Sequence, residues 1–342
     1  MHGSVVRVHE EVEGALREGR AVVALETAVL THGLPRTAWK DAALESWLAS
    51  THPSLVGRGG WDASAPLHLE VVRAMSGAVR RGGAVPAVVG MLGGVLHVGL
   101  DDRSLEALAA SPSPAKLSAR DLAPASIARV DGGTTVAGTL AACRLTSRPI
   151  RAMATGGIGG VHRGWSESGD VSADLRLLAE VPVCLVASGA KSILDLPATL
   201  EMLDTLSVPV VGHRTDGLPR FTAPPDPARR LPWRHDSVAE VLATCRRHWI
   251  DFRRSSAVLL ANPVPPAMAL DDGAFEELVE REVAASRAAG HAGAAVTPDL
   301  LRRLAERSGG RTLRANVALL LSNASLAAEV ASAIAALNLP ES

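Results

Sequence analysis

The sequence predicts an α/β fold built on a largely buried sheet, and three observations carry that expectation. Short apolar runs such as AVVAL (21–25), VPVCLVAS (181–188) and VPVVG (208–212) have the unbroken hydrophobicity of strands covered on both faces. Helix-patterned segments alternate with them, the order expected of βαβ units. The composition, 47% hydrophobic and 21% charged over 342 residues, allows a chain of this length to bury such a sheet.

In chain order, residues 9–19 have the spacing of an amphipathic helix and lead into the strand AVVAL. The most membrane-like run is GGAVPAVVGMLGGVLHVGL (82–100). Its glycines, its proline and His97 break it into two short buried strands, well short of the ~20 apolar residues of a bilayer span. A helix follows at Ser104–Ala110. TTVAGTLAACRL (134–145) reads as a helix and PIRAMATGG (149–157) as a strand running into a glycine turn. A short helix at Ala173–Ala179, the strand 181–188, a helix at Ile193–Leu206 and the strand 208–212 complete the alternation. Residues 274–289, 298–307 and 314–337 are alanine-rich helical patterns. Residues 51–66 and 222–236 have the Gly, Pro and Ser content of exposed loops, yet neither separates self-sufficient halves. One domain is expected, without internal repeats.

A net charge of −1 excludes a dedicated nucleic-acid binder, which would show a basic surplus. Cys143, Cys184 and Cys245 form no metal-like spacing, so reduced thiols in a cytoplasmic protein are expected. The charged N-terminal stretch has no signal-peptide core.

Four stretches carry candidate chemistry. ATGGIGGVHRG (154–164) departs from a dinucleotide fingerprint because His162 stands where the third glycine belongs. Its glycines permit positive φ and close backbone approach, suiting either an anion-binding nest or a plain tight turn. In ASGAKSILDL (187–196), Lys191 sits between an apolar strand and an apolar helix, where desolvation favours the neutral, nucleophilic amine; snorkelling to solvent is the alternative. In ALETAVLTHG (24–33), Glu26 ends the first buried strand, as a general acid or as a structural cap. DVSADL (170–175) offers Asp170 and Asp174 four residues apart, for a hard cation or for helix capping. Together these suggest a phosphorylated carbonyl substrate.

With KLSARDL, GGTTVAGTL, LLANPVP and NVALLLSNASLAAEVA, these motifs follow one another in an order that resembles the pseudouridine-5'-phosphate glycosidase family over residues 20–335. The resemblance implies a single three-layer α/β/α domain with a mixed sheet and a helical C-terminal portion, assembled as a homotrimer. It implies joining or splitting uracil and ribose 5-phosphate across a C–C glycosidic bond, with a divalent cation, Mn²⁺ or Mg²⁺. On the same basis Lys191 forms an imine with ring-opened ribose and Glu26 is the proton donor. Lys116, Val136, Ser172, Ala173, Asp174 and Asn316 meet the substrate, and Asp170 holds the metal. His162 and Arg163 lie where their charge suits phosphate. The alternatives are a related C-glycoside synthase or lyase with another heterocycle, and a non-catalytic sugar-phosphate-binding protein. Departures from the family pattern are extra residues within 45–68, expected as a surface insertion at the pocket rim or a subunit edge, together with Ala119-Arg120, the segment Gly212-His213-Arg214-Thr215, Ser322-Asn323, and the absence of tyrosine.

Overall fold

A computed structural model of the chain describes residues 4–55, 61–270, 273–288 and 296–337. Its strands are β1 (Val6–Val8), β2 (Val22–Leu25), β3 (Val85–Leu92), β4 (Val95–Val98), β5 (Ala115–Leu117), β6 (Gly132–Thr134), β7 (Ala152–Ala154), β8 (Cys184–Ala187), β9 (Val210–His213), β10 (Gly217–Arg220), β11 (Ala223–Arg230), β12 (Trp233–His235) and β13 (Val258–Ala261). The main sheet runs β1-β4-β3-β2-β7-β8-β13-β9-β12, with β6 branching from β3 and β5 pairing β6. From β3 through β2 to β12 every neighbouring pair is parallel. β3 is antiparallel to β4 and β6, which makes the sheet mixed.

The expectation of strands covered on both faces follows from what they carry: every residue of β2, β7, β8 and β13 is buried. The helix Arg311–Ala335 packs across β2, β7 and β8, flanked by Leu67–Arg81 and Val238–Arg246. The helices Val136–Cys143 and Ala173–Glu180 pack together, the first of them against β2 and β3. Buried apolar residues from Val12 to Ile334 form one continuous cluster. Arg311–Ala335 is long and apolar enough to cross a bilayer, but 72% of its most apolar window is buried inside this fold.

Two expectations need correction. Residues 222–236 are largely a β-ribbon, β10 against β11 in a separate two-stranded sheet, followed by β12. Prolines 224, 225 and 227 are tolerated because a ribbon edge leaves N–H positions unpaired. Residues 45–68 are not all surface: Asp41 caps the helix Ala42–Thr51 through Leu44 N at 2.9 Å, and that helix buries Leu44, Trp47 and Leu48. Leu55 and Leu67 are buried as well. Asp41 also meets Arg314 at 2.9 Å, joining this helix to the C-terminal one. Residues 56–60 lie outside the described residues, and Trp61, Asp62 and Ala65 face a surface depression shared with His9, Glu11 and Arg80.

Candidate active site

Parallel strands deliver their C-terminal residues to one edge of a sheet, where α/β proteins collect ligands. Leu25 of β2 lies opposite Ala154 of β7, and Ala154 lies opposite Val186 of β8. The residues that follow, Glu26 and Thr155, therefore leave the sheet side by side. The Thr155 hydroxyl donates to Glu26 Oε1, and the carboxyl is 6% exposed. Burial pushes its pKa up, against the opposing pull of the Lys191 charge and the Thr155 hydrogen bond.

Lys191 reaches the same place through a turn after β8. Gly189 adopts φ +74°, and a Cβ there would sit 2.1 Å from the Pro219 carbonyl oxygen, so only glycine fits. Lys191 N then donates to Ile158 O at 3.2 Å. Lys116 arrives from β5. Its pKa is lowered by burial first and by the Lys191 charge second, against Glu26 and Asp174. Glu26, Lys116, Lys191 and Asn316 thus line one 50 Å³ cavity, with Gly156 and Gly157 in its wall.

The glycine turn works differently from its sequence expectation. None of Gly156, Gly157, Gly159 and Gly160 has positive φ. They are glycine because of what crowds them: a Cβ would lie 2.8 Å from the Phe221 ring at Gly157, 2.3 Å from Ser172 Oγ at Gly159 and 2.4 Å from Thr199 Oγ1 at Gly160. The amides of residues 158, 159, 161 and 162 are already donated to Gly189 O, Asp174 Oδ2, Thr199 Oγ1 and Asp170 O. Only the Gly156–Gly157 backbone faces the cavity. Thr199 is 2% exposed and also donates to Asp195 O at 2.6 Å, so it has little room to yield. Gly160→Ala should therefore destabilise the fold by about 1–3 kcal/mol, the usual range for overpacking; urea unfolding with an unchanged midpoint would contradict this.

Other expected residues stand behind or beside the cavity wall in this conformation. Asp174 is buried and accepts from Gly159 N and Ala137 N, each at 2.8 Å, clamping the turn to the start of the Val136–Cys143 helix. Val136 is 1% exposed in the core. Ser172 caps the Ala173–Glu180 helix, and Ala173 is exposed. His162 Nδ1 is 3.8 Å from Asp170 Oδ2, and neither residue lines the cavity.

The structure adds residues that sequence reasoning passed over. His32 lines the cavity, its Nδ1 2.7 Å from Thr31 Oγ1, and its pKa is lowered by burial first and then by the Lys116 and Arg36 charges. Its nearness to Glu26 in ALETAVLTHG was an available signal. Phe221 and Leu301 also face the cavity, from segments with no local mark of a site. Behind the strand ends, Asn323 is fully buried, donating to Thr155 O at 2.8 Å and accepting from Asn262 Nδ2 at 2.9 Å.

Comparison with known proteins shows the family. Residues 62–333 match the family model of indigoidine synthase A like protein. The chain is 42% identical to the pseudouridine-5'-phosphate glycosidase of Methylobacterium nodulans, over 95% of this chain and 86% of that one. It is 40% identical to the enzyme of that name from Paracoccus denitrificans, over 97% and 99%. Among solved structures, the prealnumycin C-glycosynthase AlnA in complex with ribulose 5-phosphate superposes with a TM-score of 0.80 at 34% identity, covering 98% of this chain and 99% of that one. Related over nearly its full length to these enzymes, the protein belongs to the pseudouridine-5'-phosphate glycosidase (indigoidine synthase A-like) family.

Proposed function

We propose that this enzyme reversibly cleaves the C–C glycosidic bond of pseudouridine 5'-phosphate to uracil and ribose 5-phosphate. The observation that carries the reading is the meeting of Glu26, Lys116 and Lys191 in one cavity. A C-glycoside has no leaving oxygen to protonate, so the paired-carboxylate route of ordinary glycosidases does not serve. An amine does. The Lys191 amine attacks C1' with its lone pair, the C1'–N bond forming as C1'–O4' breaks and O4' takes a proton. The nitrogen lone pair then forms C1'=N as the C1'–C5 bond breaks. The bond pair goes to C5 of the base, which takes the proton of Glu26. Water adds to C1', C1'–N breaks, and ribose 5-phosphate leaves, one water having been consumed. The raised pKa of Glu26 keeps its proton available for the middle step. Incubation with pseudouridine 5'-phosphate should release uracil and ribose 5-phosphate in equal amounts, read by chromatography; intact substrate at high enzyme concentration would overturn the reading. The likeness to AlnA favours one second reading, in which the same lysine chemistry joins ribose 5-phosphate to another heterocycle.

The donor set around Asp170 suits a hard, mostly hydrated cation such as Mn²⁺ or Mg²⁺. It consists of one partly exposed carboxylate with His162 beside it, and the described residues hold no group of three or more ligating side chains of the kind that would cage zinc. A cation held there through water would supply positive charge for the phosphate. EDTA should suppress turnover and Mn²⁺ restore it, and full activity of Asp170→Ala without added metal would refute the assignment. The same reading takes the protein as a cytoplasmic homotrimer. Its three unpaired, buried cysteines suit a reducing compartment, and exposed Ile127, Trp233 and Phe252 offer apolar surface for contact between copies. A monomer mass by light scattering would remove the trimer.

A further inference from the structure

The 50 Å³ inner cavity is far smaller than the ~300–1,000 Å³ typical of small-molecule sites, so it has room for the reacting centre but not for a whole nucleotide. Two larger spaces lie near it, and they meet at Ser192, the residue after Lys191, which lines both. One, of 320 Å³, is lined by Arg163, Arg220 and Arg229 together with Asp195 and Glu280. The other, of 580 Å³, has walls of Leu34, Pro35, Ile193, Leu304 and Leu313. This second chamber opens into the inner cavity, for His32, Gly33, Phe221, Leu301 and Asn316 line both.

A substrate whose C1' sits at Lys191 extends in two directions. One end is a phosphate and the other an aromatic aglycone. The phosphate suits guanidinium groups, which match its oxygens in charge and geometry. The aglycone suits the apolar chamber. The charged residues of that chamber do not spoil it: Arg302 pairs with Asp299 at 2.9 Å and with Glu306 at 2.8 Å, leaving the leucine walls to meet a ligand. Asn316, buried at the junction, offers one amide to the polar edge of a base.

We propose that the 580 Å³ chamber seats the aglycone, and that it admits bases carrying an extended apolar substituent as well as bare uracil. The inference rests on the C-glycosidase reading above and names its substrate class. The net reaction is unchanged: ribose 5-phosphate and the C–H of the base give the C-riboside 5'-phosphate and water.

The test uses ribose 5-phosphate with uracil or 1-benzyluracil, which keeps the nucleophilic C5 and adds a phenyl ring, in the synthetic direction. The wild-type protein should couple 1-benzyluracil with kcat/KM at least equal to that for uracil. Leu304→Trp, which fills the chamber from its far wall, should lower the benzyluracil-to-uracil ratio about tenfold or more, since hydrophobic pockets discriminate by about 10–200-fold per methylene. Leu304→Ala, which creates space and does not depend on fitting an indole, should shift the ratio in the opposite direction. Rejection of 1-benzyluracil by more than about 100-fold in the wild type, or a ratio unmoved by both variants, would overturn the assignment. Borohydride trapping of ribose 5-phosphate alone separates the two levels. If trapping succeeds and the ratios fail, the chamber is misassigned; if the wild-type protein traps no sugar, the lysine chemistry falls and this inference with it.

Discussion

Lys191→Arg should abolish both turnover and borohydride trapping of ribose 5-phosphate, with turnover lost by up to about 10⁶-fold, the scale seen when an enzyme loses its nucleophile. A guanidinium stays protonated at any working pH and has no free pair to offer C1'. Two lysines face the cavity, however, and Lys116 is the one whose pKa burial drives down. Peptide mapping of the trapped protein decides between them. Sugar on the Lys191 peptide supports the assignment, whereas sugar on the Lys116 peptide exchanges their roles. Turnover with no trapped sugar at all would end the imine route. The Lys191 charge is one of the causes, after burial, that hold the Lys116 amine below its usual range.

Glu26→Gln should leave slow adduct formation intact while C–C cleavage falls about 10²–10⁴-fold, the contribution of a positioned acid. In the wild-type protein activity should decline on the alkaline side, as Glu26 loses its proton through its raised pKa. The alkaline limb set by Glu26 should disappear in the variant. Stability should move too. The folded state holds the Glu26 proton at pH values where the unfolded chain has released it, so it binds more protons and loses stability as pH rises through that window. Urea unfolding at about pH 8 should find Glu26→Gln more stable than the wild type, with the gain vanishing near pH 4. Equal gains at both pH values would mean that burial does not raise this carboxyl.

Much of this was legible in the sequence because the relevant constraints are local. β2, β7 and β8 announce themselves as unbroken apolar runs, and the polar residues at their ends, Glu26 and Lys191, stand out against them. What escaped is what depends on distant partners. β5 and β6 are three residues each, too short to show a period, yet they bring Lys116 to the cavity. The prolines of β11 conceal a ribbon that carries Phe221 at its turn, at φ +60°, a conformation no local pattern would assign to phenylalanine. The glycine turn showed its importance but not its cause, since Thr199, Ser172 and Phe221, which forbid side chains there, lie elsewhere in the chain. The helix Ala42–Thr51 hides in a stretch rich in loop residues, and its partner Arg314 comes from the far end of the sequence.

The position of Asn323 bears on how the protein is made. Glu26 leaves the ribosome well before the helix that covers β2, β7 and β8 and holds Thr155 O through Asn323 Nδ2, which lies nearly three hundred residues further along the chain. Until residues 311–335 emerge, those strands have one apolar face without its cover, and Thr155, the hydrogen-bond donor to Glu26, is not tied from behind. Exposed strand faces of this kind are what nascent-chain chaperones bind and what aggregates form through. Catalytic competence should therefore arrive late and all at once during translation. A nascent chain stalled before Arg311 is expected to be a client of the cell's quality control rather than a slow version of the enzyme.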